Sequence, residues 1–104
     1  MEKTIVHGRF EWDEGKNQKN IKKHGFGFED ILDMFEDPFF YEIYDSMHSA
    51  QDEDRYIGIG SVQGVLVVTA CYAERGKKIR IFSSRLASPS EERLYYGEKK
   101  NFFK

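Results

Sequence analysis

Apolar and polar positions along the 104-residue chain sort into short segments, each with its own period. Phe10-Glu11-Trp12 alternates, which suits a short edge strand. Asp13 is a helix N-cap residue, and the stretch from Glu14 to His24 runs up to Gly25, a residue suited to the position just past a helix. This helix is polar nearly all round. Ile21 is its only aliphatic side chain, so it gains little from a core and must be held by neighbours, a partner or a ligand. Lys16, Asn20, Lys23 and His24 fall on one of its faces. Phe28, Ile31, Leu32 and Phe35 then recur at helical spacing and predict a second, core-facing helix that stops at Asp37-Pro38.

The rest of the chain reads mainly as strands. Residues 39–45 are rich in aromatics and suit a strand, and residues 46–54 are a polar loop. Residues 55–62 alternate around Ile57 and Ile59, and Gln63-Gly64 follows as a two-residue hairpin. Val65 to Tyr72 is apolar on both parities, which predicts the central strand. After a turn at 74–78, Ile79 to Ser84 alternates again, with Ile79 and Ile81 on one face and Arg80 and Phe82 on the other. Ser88-Pro89-Ser90-Glu91 is a capping box with Pro at the first helical position, opening a last helix to about Lys100. The order β-α-α-β-β-β-α predicts an α+β domain, an antiparallel meander with helices packed on one face. With no internal repeat or linker, a single domain over residues 1–104 is expected.

Charge changes the picture. Ten acidic residues and no Lys or Arg lie between Glu29 and Asp54, whereas residues 55–104 carry ten Lys/Arg against four Asp/Glu. The net charge of −2 therefore conceals an acidic belt and a basic half. A basic half with Arg suits a phosphate backbone, and the plainer alternative is a solvated face. Aromatics at 15% argue against disorder. The single Cys71 lies in an apolar run and is expected as a buried, reduced thiol. No apolar run approaches the roughly 18–20 residues of a membrane span, and MEKTIVHGRF has no signal-peptide hydrophobic region, so a cytoplasmic protein is expected.

Candidate chemistry is cationic. There is no Cys-x-x-Cys pair, His-Glu-x-x-His, Gly-rich phosphate loop or Gly-x-Ser-x-Gly elbow. His48, Asp52, Glu53 and Asp54 match no familiar metal spacing and read as solvated, so neither a metal nor a cofactor is expected. Arg55, Arg80, Arg85 and Arg93, with Lys23 and His24, supply phosphate-binding groups. A ribonuclease can let the substrate's own 2′-OH attack, so that the protein supplies a base, an acid and cations. His24 is the natural proton carrier, with Glu53 and Tyr96 as substitutes. The plainer readings are a strand Arg paired with the acidic belt and a His closing a helix.

Several segments together resemble the BrnT family of toxins from bacterial type II toxin–antitoxin systems. They are FEWDEGKNQKNIKKHGFGFEDILDMFEDP at 10–38, DSMHSAQDEDRYIGIG at 45–60 and RGKKIRIFSSRLASPSEERLYY at 75–96. The resemblance spans about Phe10 to Tyr96 and implies a RelE-like fold and an endoribonuclease that inhibits translation and growth. It also implies neutralisation by a BrnA-type antitoxin with a ribbon-helix-helix DNA-binding domain, in a 2:2 complex that touches operator DNA only through the antitoxin. Carried over by motif, the catalytic positions are His24, Glu53, Arg80 and Arg85, and the RNA-binding positions are Lys23, Arg55, Arg93 and Tyr96. Leu86 departs from a position that is often basic in the family, and Ser84 from one where Ala is common. The alternative is a catalytically weak or inactive homologue that binds the antitoxin and assists transcriptional autoregulation.

Overall fold

The computed structural model describes residues 3–51 and 53–102. Its sheet has six strands, in chain order β1 (Thr4–His7), β2 (Phe10–Asp13), β3 (Tyr41–Tyr44), β4 (Arg55–Val62), β5 (Leu66–Arg75) and β6 (Lys78–Leu86). Two α-helices, α1 (Glu14–His24) and α2 (Pro89–Phe102), and a 3₁₀ helix (Phe28–Glu36) complete it. The α+β class expected from the pattern is the class observed. Across the sheet the order is β1-β2-β6-β5-β4-β3, which makes β5 central to the meander. Both of its parities are buried, through Val68, Ala70 and Tyr72 on one face and Thr69 and Ala73 on the other, as the continuous apolar run requires.

Three features differ from the sequence reading. First, β1 adds a strand to the predicted order, pairing antiparallel with β2 through a turn at Gly8, whose φ is +60°. Its signal is faint because only Ile5 of its four residues packs against the core. Second, β2 is interior and pairs parallel with β6, so the sheet is mixed. Such a pairing joins segments about 70 residues apart, and local periodicity carries no information about it. Third, the second helix is 3₁₀. Its fully buried residues are Phe28, Ile31 and Met34, a strict spacing of three, while Leu32 and Phe35 are half-buried. With three residues per turn, that spacing stacks the three side chains on one face.

The 3₁₀ helix lies on the face of β4 and β5 that carries Gly58, Gly60, Val68, Ala70 and Tyr72. A Cβ at Gly60 would lie 2.8 Å from the carbonyl oxygen of Met34, so the glycine is what permits this approach. Ile59 and Thr69 have the opposite parity and are also buried; α2 packs against β4 and β3. The acidic belt is largely structural. Asp33 accepts from the Gln63 N–H at 2.6 Å, and Asp37 accepts from the Ser61 N–H at 2.8 Å, the Phe39 N–H at 2.9 Å and the Tyr95 hydroxyl. Belt carboxylates thus tie the 3₁₀ segment to β4 and to α2.

Helix α1 has the caps its sequence announces. Asp13 accepts from the Lys16 N–H at 3.0 Å, and Gly25, at φ +84°, donates its N–H to the Ile21 carbonyl. What docks it is Asn20. The Asn20 amide donates to Ser84 Oγ at 3.0 Å and to the Phe26 carbonyl at 3.1 Å, and its oxygen accepts the Ser84 N–H at 3.1 Å. Both side chains are buried. Strand β2 stops pairing with β6 at Trp12↔Ile81, and the Asn20 amide takes over the open edge beyond it. Asn20→Ala leaves a buried N–H without a partner and is expected to cost about 1–3 kcal/mol, read as a fall in the urea midpoint. Hydrogen exchange should speed up first in α1.

Candidate nucleic-acid interface

Strand β6 builds the site through a bulge. Ile81 pairs with Tyr72 and Ser83 with Cys71, so Phe82 is the extra residue. Arg80 and Arg85 are five positions apart, which in a regular strand would set them on opposite faces. The bulge corrects the expected alternation and returns them to one face, opposite Ala73 and Thr69 respectively. The Phe82 ring becomes a hub for cations. The Arg55 guanidinium lies 4.1 Å from its centroid, the Lys16 ammonium 4.9 Å and the Arg75 guanidinium 5.8 Å.

Two cavities meet at Phe82 and Ser83. One, of about 350 Å³, is walled by α1 through Lys16, Lys19, Lys23 and His24. The other, of about 290 Å³, lies over Ile57 and Cys71 and is walled by Arg55 and by Asp45 and His48 of the loop after β3. They adjoin at these two residues as a groove in two parts, one walled by α1 and the other by the loop after β3. The loop is fixed to β4 by Ser49, whose hydroxyl donates to the Asp45 carbonyl at 2.7 Å and accepts the Arg55 N–H at 2.9 Å.

Of the residues expected to act together, the structure gathers Lys23, His24 and Arg55 along this groove. Glu53 stands beside it, bound to Arg55 at 3.3 Å and Arg75 at 3.0 Å, and so holds the Arg55 head in place. Arg80 lies elsewhere. Its side chain is 10% exposed and is paired with Glu11 at 2.6 Å. Arg85 is half-exposed and bidentate to Glu91, at 2.6 and 2.9 Å. Arg93 is on α2, exposed and without an ion pair among the described residues. Tyr96, also on α2, lines a separate hollow with Val65, Leu66, Leu86 and Glu92. No group of three or more His, Cys, Asp or Glu able to hold a metal occurs among the described residues; Asp52 lies outside them. Cys71 is half-buried rather than fully buried, because it faces the cavity.

Phe82 and Ser83 were not singled out as site residues by the sequence reading, and His48 entered it only as a metal ligand to be set aside. A signal for Phe82 existed: an aromatic among basic residues on a strand. The bulge that exposes it left no mark in the alternation. The Arg85–Glu91 pair joins β6 to the capping box of α2. Its hydrogen bonds hold Arg85 above the usual arginine range and, against the opposing effect of burial, hold the Glu91 carboxyl down at about 2. Because Glu91 is depressed when folded, its stabilisation is present above the ordinary carboxylate value near 4.5 and is lost as pH falls toward about 2. Glu91→Gln should therefore be less stable than wild type by roughly 1–2 kcal/mol near neutral pH, given partial solvent screening. That difference should shrink when urea midpoints are compared from pH 5 down to pH 3.

These features define a small α+β protein with a cationic groove on its mixed sheet. A family model for the ribonuclease toxin BrnT of type II toxin–antitoxin systems matches residues 12–91, and the chain belongs to that family. The fold is also similar to a 1.1 Å crystal structure of the Brucella abortus ribonuclease toxin BrnT. That match has 29% sequence identity and a TM-score of 0.56, and covers 74% of this chain and 92% of the other. No curated protein sequence matches. Membership of this family implies an antitoxin partner. No helix among the described residues is long and apolar enough to cross a membrane.

Proposed function

We propose that the chain is an endoribonuclease toxin that binds single-stranded RNA in the groove around Phe82 and cleaves it without a metal. The observation that carries this reading is the Phe82 ring with Arg55 at 4.1 Å and Lys16 at 4.9 Å, in a groove also lined by Lys23 and His24. Unstacked bases pack on aromatic rings and guanidinium planes, and cations on both sides take the phosphates. Attack by the 2′-OH on the adjacent phosphate needs only positioned cations and proton carriers. Lys23 and Arg55 hold phosphate, and His24 moves a proton. Glu53 positions Arg55 through their ion pair. Arg85 reaches phosphate when it leaves Glu91, and Arg93 and Tyr96 extend the surface along α2. Arg80, paired with Glu11, serves the fold. The substrate places the activity in the cytoplasm.

The closing partner is a BrnA-type ribbon-helix-helix antitoxin, which alone contacts operator DNA. It covers the groove, and the exposed apolar side chains of Leu66, Leu86 and Tyr96, each about half-exposed around a separate hollow, offer it further contact. A two-fold antitoxin with two toxins is the simplest closed assembly. Mass measurement of the co-purified complex should give 2:2, and a strictly one-to-one particle at micromolar concentration would remove this part of the proposal. One observation favours an attenuated toxin: Arg85 is held by Glu91, and Leu86 supplies no cation beside it. Growth arrest on expression separates an active toxin from a purely antitoxin-binding module.

The test of the main reading is incubation of the antitoxin-free protein with RNA, with and without chelator. Cleavage should be unaffected by chelator. Arg55→Ala removes a charge-assisted phosphate contact of about 1.5–3 kcal/mol and should lower cleavage roughly tenfold to a hundredfold while the fold is kept. Arg80→Ala should instead lower the unfolding midpoint and leave RNA affinity nearly unchanged. A metal requirement, or loss of RNA binding in a folded Arg80→Ala variant, contradicts the assignment.

A further inference from the structure

Cleavage by an internal 2′-OH requires two proton transfers. One removes the hydroxyl proton, and the other delivers a proton to the departing 5′ oxygen. In-line displacement sets these two oxygens on opposite sides of the phosphorus, so two proton carriers must flank the phosphate. His24 stands on the α1 wall of the groove. The adjoining cavity carries a second imidazole that the sequence reading considered only as a metal ligand. His48 Nδ1 lies 2.8 Å from Asp45 Oδ2, and the His48 N–H donates to the other oxygen of the same carboxylate at 3.3 Å. His48 is 67% exposed and lines the cavity, whereas Asp45 is 14% exposed.

We propose that His48, oriented by Asp45, is the general base of the cleavage reaction and that His24 is the acid. This inference rests on the ribonuclease reading above and adds the catalytic base to it. A carboxylate that accepts the Nδ1 proton fixes the tautomer, leaves Nε2 with its lone pair and stabilises the imidazolium that forms during reaction. His48 Nε2 takes the 2′-OH proton, the 2′ oxygen bonds to phosphorus, the P–O5′ bond breaks and His24 protonates the leaving oxygen. The products are a 2′,3′-cyclic phosphate and a 5′-hydroxyl. Arg55, within the same cavity as His48, faces the phosphate charge that builds up in between.

The remaining titratable groups of that cavity are Tyr56 from β4 and Cys71 and Tyr72 from β5. The Tyr72 hydroxyl donates to the Glu42 carboxylate, and burial followed by that bond raises it far above the ordinary phenol range. Burial and the nearby Asp54 also raise Tyr56. Neither phenol competes as a base near neutral pH. Burial pushes the Asp45 carboxyl up, but the bonds and charge of His48 outweigh it and hold the carboxyl below its ordinary value. Asp45 therefore stays ionised where the reaction runs.

The test measures cleavage of an RNA oligonucleotide from pH 5 to pH 9. Affinity is measured separately on an analogue with a 2′-deoxy residue at the cleaved position. Wild type should give a bell-shaped profile and a 2′,3′-cyclic phosphate product. His48→Gln should lose about 10²–10⁴ in rate, the range for one acid–base group, together with the acidic limb, while binding the analogue within about twofold of wild type. Asp45→Asn should also slow cleavage while binding the analogue as wild type does, because the carboxylate that fixes the His48 tautomer is replaced by an amide. His24→Gln should lose the alkaline limb. A folded His48→Gln variant that cleaves at the wild-type rate, or more slowly with the acidic limb intact, overturns the base assignment alone. A wild-type protein that cleaves no RNA overturns the ribonuclease reading, and this assignment with it.

Discussion

The placement of helix α1 depends on one buried amide. Most helices dock by an apolar stripe; α1 has none, and its lysines oppose one another. Asn20 replaces the stripe with directed bonds, satisfying the open edge of β6 and the turn at Phe26 at once. Two polar groups buried together and fully bonded lose little relative to water, whereas either one alone would cost the full desolvation of its partner. This explains why Ser84 is tolerated at a buried strand position: its hydroxyl and N–H both have a use. It also explains how four lysines can be held on one short helix. Freed from core duty, the exposed surface of α1 is available for charge, and the groove wall is the result.

The same division of labour runs through the charges. The acidic belt, which in sequence looks like a surface meeting a cation-rich partner, is spent mainly on the backbone donors of β4 and on pairs that fix Arg9, Arg55 and Arg75. Arg80 and Arg85 are likewise neutralised by Glu11 and Glu91. The lysines of α1 that face the groove, Lys16, Lys19 and Lys23, have no ion pair among the described residues. A cation already bonded to a carboxylate must break that bond to take a phosphate. A free lysine need only shed water. Potential toward an anion is thus concentrated on the helix wall, and Arg55 adds to it from the Phe82 ring with one edge already held by Glu53.

The fold was legible in the sequence wherever a local rule applied. The caps of α1 at Asp13 and Gly25, the Gln63-Gly64 turn, the capping box at Ser88–Glu91 and the two-sided burial of β5 are all local, and all are present. Both Gln63 and Gly64 take positive φ, as a primed hairpin turn requires, although Gln is a poor residue for it. The parallel β2–β6 pairing and the added β1 were not legible, because they follow from where distant segments meet. For the site, the family motifs singled out residues of α1 and β6, which both line the cavities at Phe82, but could not tell which cations are paired with carboxylates. Arg80 and Arg55 look alike in sequence, and each has a carboxylate beside it, Glu11 at 2.6 Å and Glu53 at 3.3 Å; they differ in that Arg80 is nearly buried whereas Arg55 is partly exposed and lies 4.1 Å from the Phe82 ring.

The bulge at Phe82 is where fold and site join. An uninterrupted β6 would keep strict alternation, so Ser84 and Arg80 would share a face and Arg85 would point into the layer that holds Tyr72 and Val68. One extra residue resolves this conflict. It sends Ser84 inward to Asn20 and returns Arg85 to the outer face. It also leaves Phe82 without a cross-strand partner, its ring ringed by cations from α1, β4 and β5. Bulges bend a strand and increase its local twist, and here the bend falls where β2 ends and α1 begins. The strand distortion, the helix docking and the aromatic hub are therefore one structural event. A substitution that removed the bulge would disturb the anchoring of α1 and the groove together, so the groove cannot be altered at this point while the fold is left untouched.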